Sequence, residues 1–307
     1  MRFFKPCGVL LIFLFTGMFQ VDSSAGESIS SSAQHRDNQQ NNDTHLAESV
    51  FTKGEELYYQ EKFDQAKPYF EKSLELEPNN AETMCWLAQT IANILEERAK
   101  KGASRFSMIS EGEYMWELFR KAVELDPKSE RARIGNAVML RDVPAMFGGN
   151  VDEAERILLE VVSENPENVI ALHHLGTLYV RKKNEPAKGI HYLREVIRIE
   201  RQGELNREER MRIPHSYNAL GAAFMNHYNK PEVAVEYLEK SVELDPDNVP
   251  DLLDLVHAYE AVGKTEQAKE TLRTAVELIN RNDHILFKDE AKKAAQKLNM
   301  SRELVYK

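Results

Sequence analysis

From residue 47 onward, apolar positions recur with the period of amphipathic helices. The same short ending also recurs, an apolar and acidic stretch closed by Pro78, Pro127, Pro166 or Pro246. Proline lacks an N–H group and restricts the residue before it, so each stretch predicts the end of a helix. Such self-similarity is typical of a repeat architecture.

The repeat length fits two helices and their turns. The first unit covers residues 47–80 and the last covers residues 249–282, each 34 residues long. Residues 284–298 predict one more helix, which covers the apolar face of the last unit as stacked repeats require. We therefore expect an all-α fold, an α-solenoid of about six helix pairs with a C-terminal capping helix. The units comprise residues 47–80, 81–129, 130–168, 169–201, 213–248 and 249–282.

Small residues recur at fixed offsets within the units, where two antiparallel helices can approach closely. The fourth unit departs from this pattern, because Gly189 replaces the second-helix alanine and Arg201 stands where the closing proline is expected. The path of residues 202–212 therefore stays open. The small residues expected at the crossings are Gly54, Gly176 and Gly221 on first helices, and Ala66, Ala154, Ala234 and Ala268 on second helices.

With large neighbours such as Tyr179 on a first helix and Phe70 on a second, these residues resemble the tetratricopeptide repeat (TPR) family. The family pattern places Trp, Leu, Gly and Tyr on the first helix and Ala, Phe, Ala and Pro on the second. The resemblance covers residues 47–282 and implies a non-catalytic scaffold. It also implies that the first helices line a concave groove, which receives a protein or peptide partner.

Carried over unit by unit, the resemblance implies a mixed apolar and basic groove. The paired Lys and Asn residues that clamp a C-terminal carboxylate in some TPR proteins are missing from it, which disfavours a chaperone-tail receptor. The expected groove residues are Tyr58, Tyr59, Gln89, Asn93, Arg131, Ile134, Val138, Arg141, Ile170, His173, Arg181, His215, Asn218 and His257.

His173, His215 and His257 fall on the expected inner face of the last three units. They suggest either a metal site, a pH switch or an ordinary polar lining. First helices of successive units lie about 10 Å apart, whereas zinc needs bonds of about 2 Å. We therefore predict polar lining and no metal.

Arg131, Arg141 and Arg181 have two interpretations. Their guanidinium groups can bind a carboxylate through two parallel hydrogen bonds. Arginine is equally common on a solvated helix edge, so both alternatives stay open.

Two units are longer than the repeat, and both insertions are expected between the two helices of one unit. Residues 81–100 contain no breaker, so the first helix of the second unit should run long. In the third unit, Pro144, Phe147, Gly148 and Gly149 predict a loop that tolerates positive φ, followed by Asn150 as a helix cap.

The sequence Pro-Ala-Met-Phe-Gly-Gly followed by an acidic helix resembles the TPR component associated with tripartite ATP-independent periplasmic (TRAP) transporters. This second resemblance implies a periplasmic helical protein that associates with a solute-binding subunit, oligomerises and holds a small ligand. Cys7 precedes the apolar stretch, so the lipoprotein cysteine of that family is missing. Alternatively, Phe147 simply plugs the loop against the neighbouring helix.

Residues 1–25 are typical of a secretory signal peptide. Arg2 and Lys5 precede an apolar stretch over residues 8–19, which small residues follow. The stretch is shorter than the roughly 20 residues of a membrane span, although a retained anchor is the competing interpretation. We predict export to the periplasm or medium, with no membrane span after cleavage. Residues 26–45 are expected to form a flexible linker, residues 46–300 the repeat domain and residues 301–307 a tail.

Composition narrows the functional classes further. With 40 basic and 50 acidic residues the net charge is −10, and no basic cluster favours nucleic acid as a partner. Two cysteines are too few for a disulfide framework, and Cys85 is expected to be a buried apolar residue. No catalytic motif is present, so we predict no enzyme activity, no catalytic residue and no cofactor. The acidic pairs at 55–56, 96–97 and 208–209 are interpreted as exposed helix faces.

Three functions remain from the sequence, and one of them is the assembly of an envelope or surface complex, which requires a stable oligomer. The first is a non-catalytic exported TPR scaffold that binds a protein or peptide partner in its groove. The alternative is a periplasmic accessory of a TRAP-type transport system that holds a small apolar or carboxylate ligand. Whether the protein forms an oligomer stays open.

Overall fold

The computed structural model describes residues 43–300, and within this range the chain is helical without any β-strand. The expected all-α solenoid is confirmed: six antiparallel helix pairs follow one another, and a single helix ends the array. The helices are α1 (residues 43–58), α2 (Phe63–Leu76), α3 (Ala81–Lys100), α4 (Ile109–Leu125), α5 (Glu130–Asp142), α6 (Val151–Glu164), α7 (Val169–Arg181), α8 (Pro186–Gln202), α9 (Arg207–Asn226), α10 (Pro231–Leu244), α11 (Val249–Ala261), α12 (Thr265–Arg281) and α13 (Lys288–Lys297).

A proline and a capping side chain together form the turn between successive pairs. The helices α2, α4, α6 and α10 each end two residues before the recurring proline, as predicted. Two residues beyond the proline, an Asn or Ser side chain accepts the N–H of the residue three positions later and starts the next helix. These capping residues are Asn80, Ser129, Asn168 and Asn248.

Glycine permits the closest crossing, between α7 and α8. A Cβ atom on Gly189 would lie 2.7 Å from the carbonyl oxygen of Gly176 and 2.5 Å from Cγ2 of Val180. The two backbones therefore touch directly, which explains why the fourth unit carries glycine where the others carry alanine. Gly54 and Gly221 likewise face Phe70 and Leu238 of their own pair, as expected.

The core is a row of apolar clusters between the two helix layers. Ala66, Ala154, Ala234 and Ala268 are fully buried in it. Cys85 is also fully buried, as expected, and burial raises the pKa of its thiol to about 12. The cap α13 closes the row with buried alanine side chains, which confirms the predicted capping helix.

The last pair curls back toward the second. The short 3₁₀ turn Ile285–Phe287 lies against the C-terminal end of α3. Here Nε2 of His284 is 3.7 Å from a carboxylate oxygen of Glu97, and Gly102 lies beside the side chain of Ile285. The array therefore encloses its inner face over part of its length.

The structure changes two boundaries of the sequence analysis. The fifth pair begins at Arg207, because α8 ends at Gly203 with a positive φ of 99° and α9 starts four residues later. Residues 43–45, which we assigned to the linker, already lie in α1. As expected, α3 is long, with 20 residues. The predicted signal segment, residues 26–42 of the linker and the tail 301–307 lie outside the described residues.

Within residues 43–300, no helix is both long enough and apolar enough to cross a lipid bilayer. The contacts of the chain separate the helical array as one unit that begins at Leu46.

Candidate partner-binding groove

The first helices of the pairs form the inner layer of the array. Contacts join α3 to α5, α5 to α7, α7 to α9 and α9 to α11, so these helices lie side by side. These helices form the concave side of the curved stack, and their side chains that are not packed against the outer helices face the concave surface. We call this surface the groove and divide it into an N-terminal, a central and a C-terminal region.

Aromatic side chains fill the N-terminal region of the groove. Tyr58 is only 2% exposed, and its hydroxyl accepts a hydrogen bond of 3.0 Å from Nδ2 of Asn93. Its ring meets the ring of Trp86 edge-on, with 5.0 Å between centroids. Tyr58 is therefore a core residue rather than the partner contact that we expected, whereas Asn93 is partly buried beside it.

Arg131 is neutralised within the chain. Its guanidinium lies 3.0 Å from a carboxylate oxygen of Glu82 and 2.5 Å from one of Glu208, over the ring of Trp86. Nη1 also donates a 3.3 Å hydrogen bond to Oε1 of Gln89. Arg131 and Gln89 thus join neighbouring helices of the groove, and the Arg131 charge is already balanced by Glu82 and Glu208.

The first turns of α9 cover this region. Nη2 of Arg207 donates a hydrogen bond of 2.6 Å to the carbonyl oxygen of Tyr59, and its guanidinium stacks on the Tyr59 ring at 4.3 Å. The side chain of Glu208 is only 11% exposed, so the interpretation of residues 208–209 as an exposed face is wrong. Residues of the fifth pair therefore occupy the part of the groove that the first three pairs enclose.

Sequence reasoning missed this extension, although a local signal was present. Asn206 and Glu209 form a reciprocal capping box, in which each side chain accepts the backbone N–H of the other residue. The spacing Asn-x-x-Glu is a recognised start signal for a helix. It would have placed the start of α9 six residues earlier than our boundary at 213.

We predict that Glu208→Gln lowers the free energy of unfolding by about 2 kcal/mol, because it leaves the partly buried Arg131 without its strongest partner. Backbone amides of residues 204–212 should then exchange with solvent faster, as hydrogen exchange by mass spectrometry can measure. The control is Glu204→Gln, which changes an exposed side chain in the same loop. Equal exchange in the two variants would contradict the proposed anchoring.

In the central region, α5 and α9 flank α7. Arg141 at the end of α5 has a side chain that is 13% exposed. Its Nη1 donates to Oγ1 of Thr177 at 3.1 Å and lies 3.3 Å from Nδ1 of His174. The guanidinium also pairs with the neighbouring Asp142 at 2.6 Å. The sequence analysis named Arg141 and missed His174, which is 9% exposed.

Histidine side chains are buried on the other side of α7. His173 is 7% exposed, and its Nδ1 shares a hydrogen bond of 2.8 Å with the hydroxyl of Ser216 on α9. Burial, followed by the charge of Arg212, holds the pKa of His173 well below its usual value. Burial and Arg141 do the same for the pKa of His174, and burial and Arg212 lower that of His215.

The histidine rings do not converge on a common point. The centroids of His173 and His215 are 6.4 Å apart, and His257 lies on α11 with Nδ1 3.9 Å from a carboxylate oxygen of Glu290. No group of three or more His, Cys, Asp or Glu side chains within residues 43–300 is arranged to hold a metal ion.

The C-terminal region contains both closed and open positions. Asn218 is buried and donates a hydrogen bond of 2.8 Å to Asp254. Asp251 is also buried beside the hydroxyl of Ser241, and burial raises the pKa of its carboxyl to about 7. The Arg181 side chain is exposed and the His257 side chain is 41% exposed, so both can meet a partner.

The expected apolar anchors lie mostly in the core. Ile134 is 5% exposed, and Val138 and Ile170 are partly buried against the same cluster. Side chains already packed in this way offer little apolar area to a ligand. The open part of the groove is therefore more polar than the sequence suggested.

The insert loop projects from one end of the third pair. Phe147 is 67% exposed and Pro144 is exposed, so the interpretation of Phe147 as a plug is wrong. Gly148 has φ of 99° and faces the ring of Trp116. Gly149 lies so close to the carbonyl of Val143 that a Cβ atom would meet its oxygen at 1.7 Å. Both glycines are thus required by the tight loop, and Asn150 caps α6 as predicted.

Two segments of the chain match models of the tetratricopeptide repeat, over residues 47–80 and 228–285. The first match coincides with the first unit that the sequence pattern defines. This chain carries tetratricopeptide repeats. The TPR resemblance stated from the sequence is thereby confirmed for the repeats.

Solved structures with a similar fold support the TPR architecture. In the APC/C hetero-tetramer Cut9–Hcn1, the TM-score is 0.60 at 16% identity, with 81% of this chain matched to 42% of that chain. This TPR chain thus spans less than half of that relative. The structure of PilF from Pseudomonas aeruginosa matches with a TM-score of 0.53 at 17% identity, over 83% of this chain and 99% of that chain. A TPR protein from Thermus thermophilus matches with a TM-score of 0.52 at 18% identity, over 70% of this chain and 98% of that chain.

Proposed function

We propose that this protein is a non-catalytic, exported TPR scaffold that binds a segment of a protein partner in the central and C-terminal regions of its groove. The TPR repeats support a role in protein interaction. We choose these regions because the side chains of the N-terminal region are already engaged within the chain, whereas some of those farther along the groove are exposed. Arg131 and Tyr59 are engaged by α9, whereas Arg181 and His257 remain open to a partner.

A segment bound there contacts polar side chains first. Arg141, the buried histidines and the open Arg181 line the path, and the apolar side chains behind them belong to the core. Recognition then depends on hydrogen bonds and charge, while the inner helices supply a rigid wall. Electrostatic complementarity of this kind governs specificity and the rate of association more than it governs affinity.

The charge-reversal variant Arg181→Glu tests this function. We expect it to reduce capture of partner protein from the host's own extract at least tenfold, equivalent to about 1.4 kcal/mol of binding free energy. The matched control is Arg201→Glu, which reverses an exposed charge on the outer helix α8. Because both side chains are exposed, neither variant should change the unfolding midpoint. Capture of the same proteins in the same amounts by both variants and the wild type would contradict the proposal.

Export rests on the N-terminal segment of the sequence. Arg2, Lys5 and the following apolar stretch support cleavage after Ala25. N-terminal sequencing of the protein from its native compartment should then start at Gly26. A chain that retains Met1 and stays with the cytoplasmic fraction would contradict export.

A second candidate is the accessory of a TRAP-type transport system. The loop from Pro144 to Gly149 favours it, because Met146 and Phe147 are 83% and 67% exposed and can meet a solute-binding subunit. The polar groove favours a carboxylate over an apolar solute in that case. Native mass spectrometry of the protein from its host should show a bound small molecule, and light scattering would reveal an oligomer. A mass equal to that of the chain alone would count against this candidate.

A further inference from the structure

One arginine in the groove lacks an internal partner. Within residues 43–300, five arginines are partly buried, and four of them pair with a carboxylate. The fifth is Arg212 on the second turn of α9, whose guanidinium makes no hydrogen bond, ion pair or ring contact with any described residue. The four pairs are Arg98 with Glu111, Arg131 with Glu208, Arg133 with Glu164 and Arg141 with Asp142.

The carboxylates near Arg212 are paired elsewhere: Glu208, one helical turn before it, pairs with Arg131, and Glu96 pairs with Lys100. The helix turn that follows it carries Ser216, whose hydroxyl donates to the Arg212 carbonyl and bonds to His173. Burial first, and the Arg212 charge with it, lower the pKa values of His173, His174 and His215, so these rings stay neutral and do not balance the charge. A partly buried cation in such surroundings is costly until an anion joins it.

A second guanidinium, that of Arg141, lies on the other side of α7 from Arg212. Arg141 on α5 and Arg212 on α9 flank α7, and Arg141 bonds to Thr177 and His174 on that helix. Asp142 is the carboxylate that pairs with Arg141, and its side chain is 48% exposed and also faces Lys182 at 3.8 Å. The inner helices on both sides of α7 therefore each carry a partly buried guanidinium, and of the two only Arg141 has a carboxylate partner among the described residues. The protein as a whole carries a net charge of −10.

We infer that the centre of the groove is a receptor site for one carboxylate of the bound partner segment, held by Arg212. This inference rests on the proposed scaffold function and specifies the chemistry that the partner must carry. The planar guanidinium fork matches a carboxylate through two parallel hydrogen bonds. The carboxylate comes either from an Asp or Glu side chain of the segment or from its C-terminus.

The negative charge of the rest of the protein sharpens this selection. An acidic segment is repelled by most of the surface and attracted where the positive groups of the groove focus the field. Its carboxylate therefore fixes the register of the segment along the inner helices. A neutral segment of the same shape leaves Arg212 without a partner and binds more weakly.

The test uses two libraries of synthetic random dodecapeptides, one with free C-terminal carboxyl groups and one with C-terminal amides, sorted on the full chain. If the carboxylate is a side chain, we expect peptides from both libraries to share an Asp or Glu at one position. If it is the C-terminus, only the free-acid library should yield binders. In either case Arg212→Gln should weaken the selected peptides at least tenfold, and Arg212→Lys should restore part of the loss.

The control is Arg201→Gln on the outer face, which should leave the affinities unchanged. Because Arg212 has no internal partner, Arg212→Gln should keep or raise the unfolding midpoint, so lost binding cannot be assigned to unfolding. Binders from both libraries without a shared acidic position, or binders with unchanged affinity for Arg212→Gln, would overturn the carboxylate site while leaving the scaffold function intact. No binder from either library would count against the scaffold function itself and remove the basis of the carboxylate site.

Discussion

Replacing Gly189 with alanine is expected to lower the free energy of unfolding by about 1–2 kcal/mol. The added methyl group would lie 2.7 Å from the carbonyl oxygen of Gly176 and 2.5 Å from Cγ2 of Val180. Backbone cannot move aside as a flexible side chain does, so α7 and α8 must separate. Overpacking of this kind costs about 1–3 kcal/mol or more, and the better helix propensity of alanine offsets only about 1 kcal/mol.

The matched control is Gly112→Ala. Gly112 lies within α4, and a Cβ atom built there has nothing within 4 Å. Its replacement should therefore raise stability by up to about 1 kcal/mol through helix propensity alone. Urea unfolding followed by circular dichroism gives both values. If the two variants shift the midpoint in the same direction and by similar amounts, the close crossing of α7 and α8 is wrong.

Acidification is expected to destabilise the protein between pH 6.5 and 5 through the buried histidines. In the fold, burial and nearby arginines hold the pKa values of His173 and His174 well below 6.5, whereas the unfolded chain takes up protons near that value. Their stabilising contribution is therefore complete above pH 6.5 and is lost as the pH falls. Each of the two histidines lowers the free energy of unfolding by about 1.4 kcal/mol for every pH unit that the pH falls within this window.

Asp251 opposes this trend. Its pKa is raised by burial from 3.8 to about 7, so the folded state keeps the proton that the unfolded chain releases, and its contribution grows as the pH falls through the same window. The net loss in the wild type should then be about 1.4 kcal/mol per pH unit. Asp251→Asn should roughly double that slope.

The double variant His173→Gln with His174→Gln isolates the histidine contribution. It should abolish the loss between pH 6.5 and 5, whereas His191→Gln on the exposed face of α8 should not change it. Urea unfolding at several pH values provides the slopes. A wild-type stability that is flat or rises over this window would show that the buried histidines do not control it.

The helix pairs could be predicted because their signals are local. Pro78 and Asn80 sit two residues apart and form both the end of one helix and the start of the next. Gly176 indicates a close helix crossing because it has no side chain, and a glycine at this repeat position is visible in the sequence itself. Such features need no knowledge of distant residues, so the number and order of the pairs followed from the sequence.

The groove could be predicted only in part. The repeat position of Tyr59 or Arg131 indicates that the residue faces inward, but it does not indicate what lies opposite. Arg131 meets Glu208 from a position 77 residues away, so its repeat position alone could not show that its charge is already paired. Arg212 was missed for the same reason, since its role follows from the absence of an internal partner and not from its own repeat position.

The central claim is that a partner segment lies in the groove between α5 and α11. Photo-crosslinking tests it most directly, with p-benzoylphenylalanine placed at His257 on the inner face or, as the control, at Lys121, which is exposed on the outer helix α4. After irradiation in the native compartment, we predict a discrete adduct from position 257 and none from position 121. Adducts from position 121 alone would contradict the account, because the partner would then bind the outer surface.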